Sequence, residues 1–177
     1  MKISDTFCAS LTPFNKDYSI NHDVYFQHCS NLLNIGLDGI TIFGSTGEAN
    51  LISSDFKIEA IHSLIDHGFS PSKLIPGTGL TSMHETIKMS TVAKNLKVSG
   101  VLMLPSYYYS SPSDEGIIDY YSNIVESIGD NQFKILLYHI PQISGVKISF
   151  NVIENLIKKY PNNIVGIKDS SNDLDNM

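Results

Sequence analysis

Three groups of residues in this chain could do chemistry: a lysine ending an apolar run, tyrosines near the ends of others, and a Gly-Ser-Thr-Gly-Glu loop. Lys168 sits at the end of the run Ile-Val-Gly-Ile-Lys-Asp, whose β-branched residues read as a short buried strand. Among packed apolar residues an ammonium is costly, and burial favours a neutral amine. Such an amine can attack a ketone and become a Schiff base. The plainer alternative is a lysine that snorkels from the sheet edge into water.

Ser45, Thr46 and Gly47 follow a second apolar run, Tyr107, Tyr108 and Tyr109 a third, and Tyr138 closes a fourth. The N–H groups and two hydroxyls of the loop suit a small carboxylate, in the manner of an anion nest. Gly44 and Gly47 would equally serve a tight turn that binds nothing. Glu48 reads as an anchor for the loop rather than a catalytic acid. His139 directly follows Tyr138 and should face the other side of its strand. The remaining histidines show no HExxH or related spacing, so no metal site is expected.

These residues need elements to hold them. Apolar runs at 6–12, 39–43, 74–77, 101–104, 135–138 and 164–168 read as strands, with helical patterns near 21–34, 54–67, 82–96, 114–128 and 150–160. Ser113 precedes Asp114 and Glu115, acids suited to a first helical turn, whereas Ser54 with Lys57 makes a poor capping box. Strands recur about every thirty residues, the length of a βα unit with its return loop. Six such units in series imply a parallel sheet, and runs apolar on both faces belong between layers of helix.

A doubly wound sheet and a (β/α)8 barrel both fit, and both place their sites beyond the C-terminal ends of the strands. The loop lacks the GxGxxG spacing of a dinucleotide site. The expected fold is therefore a TIM (β/α)8 barrel. Such a barrel needs about 250 residues, so the expectation is one incomplete domain over residues 1–177, truncated after about six units.

The totals narrow the function. With 42% hydrophobic and 17% charged residues and a net charge of -6, the chain reads as a soluble globular protein. No basic stripe offers phosphate contacts, so nucleic acid is not an expected partner. No apolar run approaches the roughly 18 residues of a membrane span, and the N-terminus lacks a signal pattern. Cys8 and Cys29 form no CxxC spacing and read as core residues in a reducing, cytoplasmic setting. A small molecule is the expected partner.

Four ordered segments, GSTGE at 44–48, PSYYYSSP at 105–112, YHIPQISG at 138–145 and GIKDSS at 166–171, together resemble the dihydrodipicolinate synthase and N-acetylneuraminate lyase family. The resemblance covers essentially the whole chain. It implies a TIM barrel, usually a tetramer built as a dimer of dimers, acting as a class I pyruvate-dependent aldolase with no metal or bound cofactor. The family's Schiff-base lysine falls on Lys168. Its proton-relay tyrosine falls on Tyr138, hydrogen-bonded to Ser45 and to a tyrosine lent by the neighbouring subunit. Counting back from Pro112 places that tyrosine at Tyr109, with Tyr108 the second choice. Ser45 and Thr46, with Gly47, would hold the carboxylate of a 2-oxo acid.

Where the synthase branch carries an arginine for aspartate semialdehyde, this chain has Ile143. Loss of that bidentate clamp, with the run IPQISGVKIS and the serine of GSTGE, leans toward the lyase branch. The expected reaction is cleavage of a 2-keto-3-deoxy sugar acid to pyruvate and an aldehyde. The alternatives are 4-hydroxy-tetrahydrodipicolinate synthase and a non-catalytic barrel fragment with open strand edges.

Overall fold

The helices begin where the sequence offers an oxygen to an otherwise unpaired backbone N–H. Asn21, Ser53, Ser113 and Ser149 accept from Val24, Phe56, Gly116 and Val152 respectively. They open helices α1 (His22–Asn34), α2 (Ser54–Asp66), α4 (Asp114–Ile128) and α6 (Phe150–Lys159). Each such cap is worth about 1 kcal/mol. The cap of α2 is Ser53, which explains why Ser54 made a poor box. Gly129 ends α4 in the left-handed region, at φ 62°. The structure, a computed structural model, describes residues 6–174. It also contains α3 (Met83–Asn95) and a one-turn helix α5 (Pro141–Ser144).

The chain divides into two compact units. The first holds the described residues up to Gly77 together with Val92–Ser99, and the second holds Thr78–Thr91 and the described residues from Gly100 onward. In the first unit, β1 (Phe7–Ala9) pairs in parallel with β2 (Gly39–Thr41). The expected strand at 74–77 forms only an isolated parallel bridge, Ile40 to Leu74. Ile75 and Gly77 still donate to the carbonyls of Ile40 and Ile42, at 2.9 and 2.8 Å. Pro76 supplies no N–H, so the other edge of the segment lacks a ladder donor. Tyr25 and Cys29 from α1 and Ala60, Ile61 and Leu64 from α2 are buried, as are Ile40, Ile42 and Leu74.

In the second unit, β3 (Val101–Met103), β4 (Ile135–His139) and β5 (Ile164–Asp169) form a parallel sheet in that order. Ile117, Tyr121, Ile124 and Ile128 of α4 and Val152 and Leu156 of α6 supply buried apolar side chains. The Tyr121 hydroxyl donates to the Met103 carbonyl at 3.0 Å, which fixes α4 to β3. Asp114 joins the starts of two helices, because its Oδ2 accepts from Ser149 Oγ at 2.8 Å and from Asn151 Nδ2 at 2.9 Å.

The strand expected to be buried on both faces departs from that expectation. Val165 and Ile167 of β5 are each 39% exposed, and only Ile164 is buried. Among the described residues β5 pairs with β4 alone, so its second edge has no strand to cover it. No helix among the described residues is long and apolar enough to cross a membrane.

Candidate functional site

Parallel pairing of β4 and β5 sets Tyr138 directly beside Lys168 and His139 beside Asp169. Because neighbours along a strand point to opposite faces, this register brings the tyrosine and the lysine together on one face. Lys168 Nζ lies 4.3 Å from the centroid of the Tyr138 ring, within cation–π range. Tyr138 is buried and Lys168 half-buried. The lysine thus stands at a strand end as expected, in a setting more open than the apolar run implied.

His139 is buried and turned to a different task. Its Nδ1 accepts the backbone N–H of Ile148 at 3.1 Å, and its carbonyl accepts from Ser170 at 2.8 Å. The side chain of Gln142, in α5, donates to the Ser170 carbonyl. Ile143 of the same helix is exposed. Of the three consecutive tyrosines, Tyr107 is half-buried, and burial pushes its phenol pKa up. Tyr108 and Tyr109 are 80% and 81% exposed and pack edge to face, ring centroids 5.2 Å apart. Tyr108 takes a left-handed backbone conformation, φ 86°, uncommon for a bulky residue.

The Gly44–Glu48 loop belongs to the first unit. Gly44 O accepts from Gly47 and Ala49, and Ser45 O accepts from Glu48, so these N–H groups close the turn on itself. Ser45 and Thr46 are exposed at its tip. Gly47 is buried beneath, where a Cβ would come within 2.9 Å of Ser10 O and 3.0 Å of Thr12 Oγ1. Thr12 Oγ1 donates to the Gly47 carbonyl at 2.8 Å. Glu48 is exposed, adopts φ 53° and accepts through its carbonyl from the Leu51 N–H, in the turn that follows the loop. Thr12 was missed from sequence because its partner lies 35 residues away. Among the described residues, no group of three or more His, Cys, Asp or Glu side chains is placed to hold a metal ion.

A parallel α/β protein with a lysine and a tyrosine paired at adjacent strand ends is the class defined by this geometry. Residues 2–177 match the model of the dihydrodipicolinate synthetase family, and the chain belongs to that family. It is 32% identical over 175 residues to 4-hydroxy-tetrahydrodipicolinate synthase 1 of Halalkalibacterium halodurans, a match spanning 99% of this chain and 57% of that protein. Over 166 residues it is 31% identical to an uncharacterized DapA-like lyase of Chloroflexus aurantiacus, covering 93% of this chain and 55% of the relative. The dihydrodipicolinate synthase structure from Agrobacterium tumefaciens superposes with a TM-score of 0.94 at 29% identity, over 97% of this chain and 60% of that one. The chain therefore spans a little over half the length of the curated relatives it matches.

Proposed function

We propose that the chain carries the imine-forming half of a class I pyruvate-dependent lyase, with Lys168 as nucleophile and Tyr138 as proton carrier. The observation behind this reading is Lys168 Nζ held 4.3 Å from the Tyr138 ring centroid by the β4–β5 register. In its unprotonated form the amine adds to the ketone carbon of a 2-oxo acid to give a neutral carbinolamine, and a proton taken up from solvent lets its hydroxyl leave as water, so that the product is the protonated imine. That iminium is a cation as the ammonium was, so the same ring face continues to stabilise it. It withdraws electrons from the adjacent carbon and so permits carbon–carbon cleavage or formation. The Tyr138 hydroxyl moves the proton to or from the oxygen of the bond being changed.

Ser45 and Thr46 are the proposed carboxylate contacts, with Gly47 shaping their loop. Tyr109, or Tyr108 beside it, is the proposed contribution to a neighbouring subunit in a homo-oligomer, and the exposure of both rings supports that reading. The parallel sheets and the likeness to the Agrobacterium enzyme support a (β/α)8 barrel as the fold to which these residues belong. For the second product we favour an aldehyde derived from a 2-keto-3-deoxy sugar acid, because Ile143 offers no charge to a second carboxylate. The names of the synthase relatives favour a second reading, condensation of pyruvate with aspartate semialdehyde.

The test is borohydride reduction in the presence of pyruvate, followed by peptide mapping, with circular dichroism to establish that the protein is folded. An adduct on Lys168 that disappears in Lys168→Ala is the expected result. A folded protein without adduct would overturn the reading. Tyr138→Phe should keep the adduct yet lose about 10²–10⁴-fold in turnover of the true substrate, the usual worth of a positioned proton carrier.

A further inference from the structure

His139 has one face of its chemistry fixed by its surroundings. A backbone N–H can only donate, so the Ile148 N–H bonded to Nδ1 requires a lone pair there, and the ring proton resides on Nε2. The imidazole is therefore neutral and serves as an acceptor. Through this one residue two segments are tied together. The side chain holds Ile148, on the far side of the 140–148 segment that follows β4, and the carbonyl holds Ser170, two positions beyond Lys168. Ile140, Ser144, Val146 and Ile148 are all buried, so the segment is packed against its surroundings rather than loosely draped.

We propose that His139 is a positioning residue, a latch whose acceptor nitrogen holds the 140–148 segment in place beside Tyr138 and Lys168 and releases it when the ring is protonated. A proton on Nδ1 would set two donors against each other, and the Ile148 N–H, on a buried residue, would lose its acceptor. The charged groups acting on the ring are Asp169 of β5, Asp173 beyond it and Lys147 in the segment itself. The two carboxylates favour the charged ring and Lys147 opposes it, while burial, the largest influence, draws the pKa below 6.5. The latch is accordingly closed near neutral pH and opens as pH falls through that lowered value. The inference deepens the imine reading above, but its first readout does not depend on it.

That readout is amide exchange of the peptide around Ile148 at pH 7 and in steps down to pH 4, with the intrinsic rate divided out. In the wild-type chain, protection should fall by about tenfold or more on acidification, the loss expected for a buried donor left unpaired. His139→Asn offers an acceptor oxygen that does not titrate, so its protection should stay level across the same range. His139→Leu should exchange rapidly throughout. In cyanoborohydride trapping at the acid end of that series, the half-saturating pyruvate concentration should be several-fold higher for wild type than for His139→Asn, at equal maximal rate. Level protection in the wild type would overturn the latch, as would an equal fall in His139→Asn, which would assign the effect to Asp169 or Asp173. Should His139→Leu fail to fold by circular dichroism, the comparison of wild type with His139→Asn decides alone. Absence of any pyruvate adduct bears on the imine reading only, so the two failures are told apart.

Discussion

In the second unit Asn163, buried behind β5, donates through Nδ2 to the carbonyls of Asp130 and Phe133 at 2.8 and 2.7 Å. In the first, Lys57 lies fully buried in α2 and its Nζ has no hydrogen-bond partner. The same contrast separates two buried tyrosines. Tyr121 donates to Met103, while the Tyr25 hydroxyl is unpaired. Thr12 and Ser10 lie close enough to temper the rise that burial imposes on the Tyr25 phenol pKa, yet neither meets hydrogen-bond geometry. All three buried side-chain atoms lacking a partner among the described residues, His22 Nδ1, Tyr25 Oη and Lys57 Nζ, fall in the first unit. Buried polar groups serve as structure in both units, as Thr12 does beneath Gly47, but the unpaired ones, carried as a cost, gather in the first.

Lys57 offers the largest test of that difference. Burial draws its pKa from 10.5 to about 8, so the unfolded chain binds the proton more tightly. Below pH 8 the cost is fully present, and it is relieved as pH rises from there toward 10.5. Lys57→Met should therefore raise unfolding free energy by about 3 kcal/mol at pH 7, with the gain shrinking toward pH 10.5. Urea titrations across that range measure it, and a loss of stability would show that the amine has found a partner.

Asn163→Ala should act in the opposite sense and cost about 2 kcal/mol, since two carbonyls lose their donor. A null effect would mean that water replaces the amide without penalty. The finest comparison is Tyr121→Phe against Tyr25→Phe. The first should lose about 1 kcal/mol and the second should be neutral or slightly stabilising, because only one hydroxyl has a bond to lose. Equal losses in chemical denaturation would erase the distinction between the units.

Much of this is legible in the sequence. Apolar runs at regular intervals marked the parallel strands, and Ser113 with its two acids marked the start of α4. Residues 57, 60, 61 and 64 are spaced as one face of a helix, so the burial of Lys57 was written in its position and went unread because lysines usually lie outside. The register sets His139 beside Asp169 and gives it a different partner from Tyr138. Its partner, Ile148, could not be foreseen, since the path of an irregular segment is not periodic. The Thr12 support of Gly47 was hidden for a related reason, as a hydroxyl reaching across 35 residues leaves no local pattern. Burial of β5 was misjudged because an apolar run describes what a strand could pack against, not which neighbours are present.

Asp114 has a consequence in time. Its two hydrogen-bond donors lie 35 and 37 residues further along the chain. At typical synthesis rates of 5–20 residues per second, they emerge about two to seven seconds after it. The first turn of α4 must wait that long on the ribosome for these two donors, while the Ser113 cap lies beside it in the chain and is available from the start.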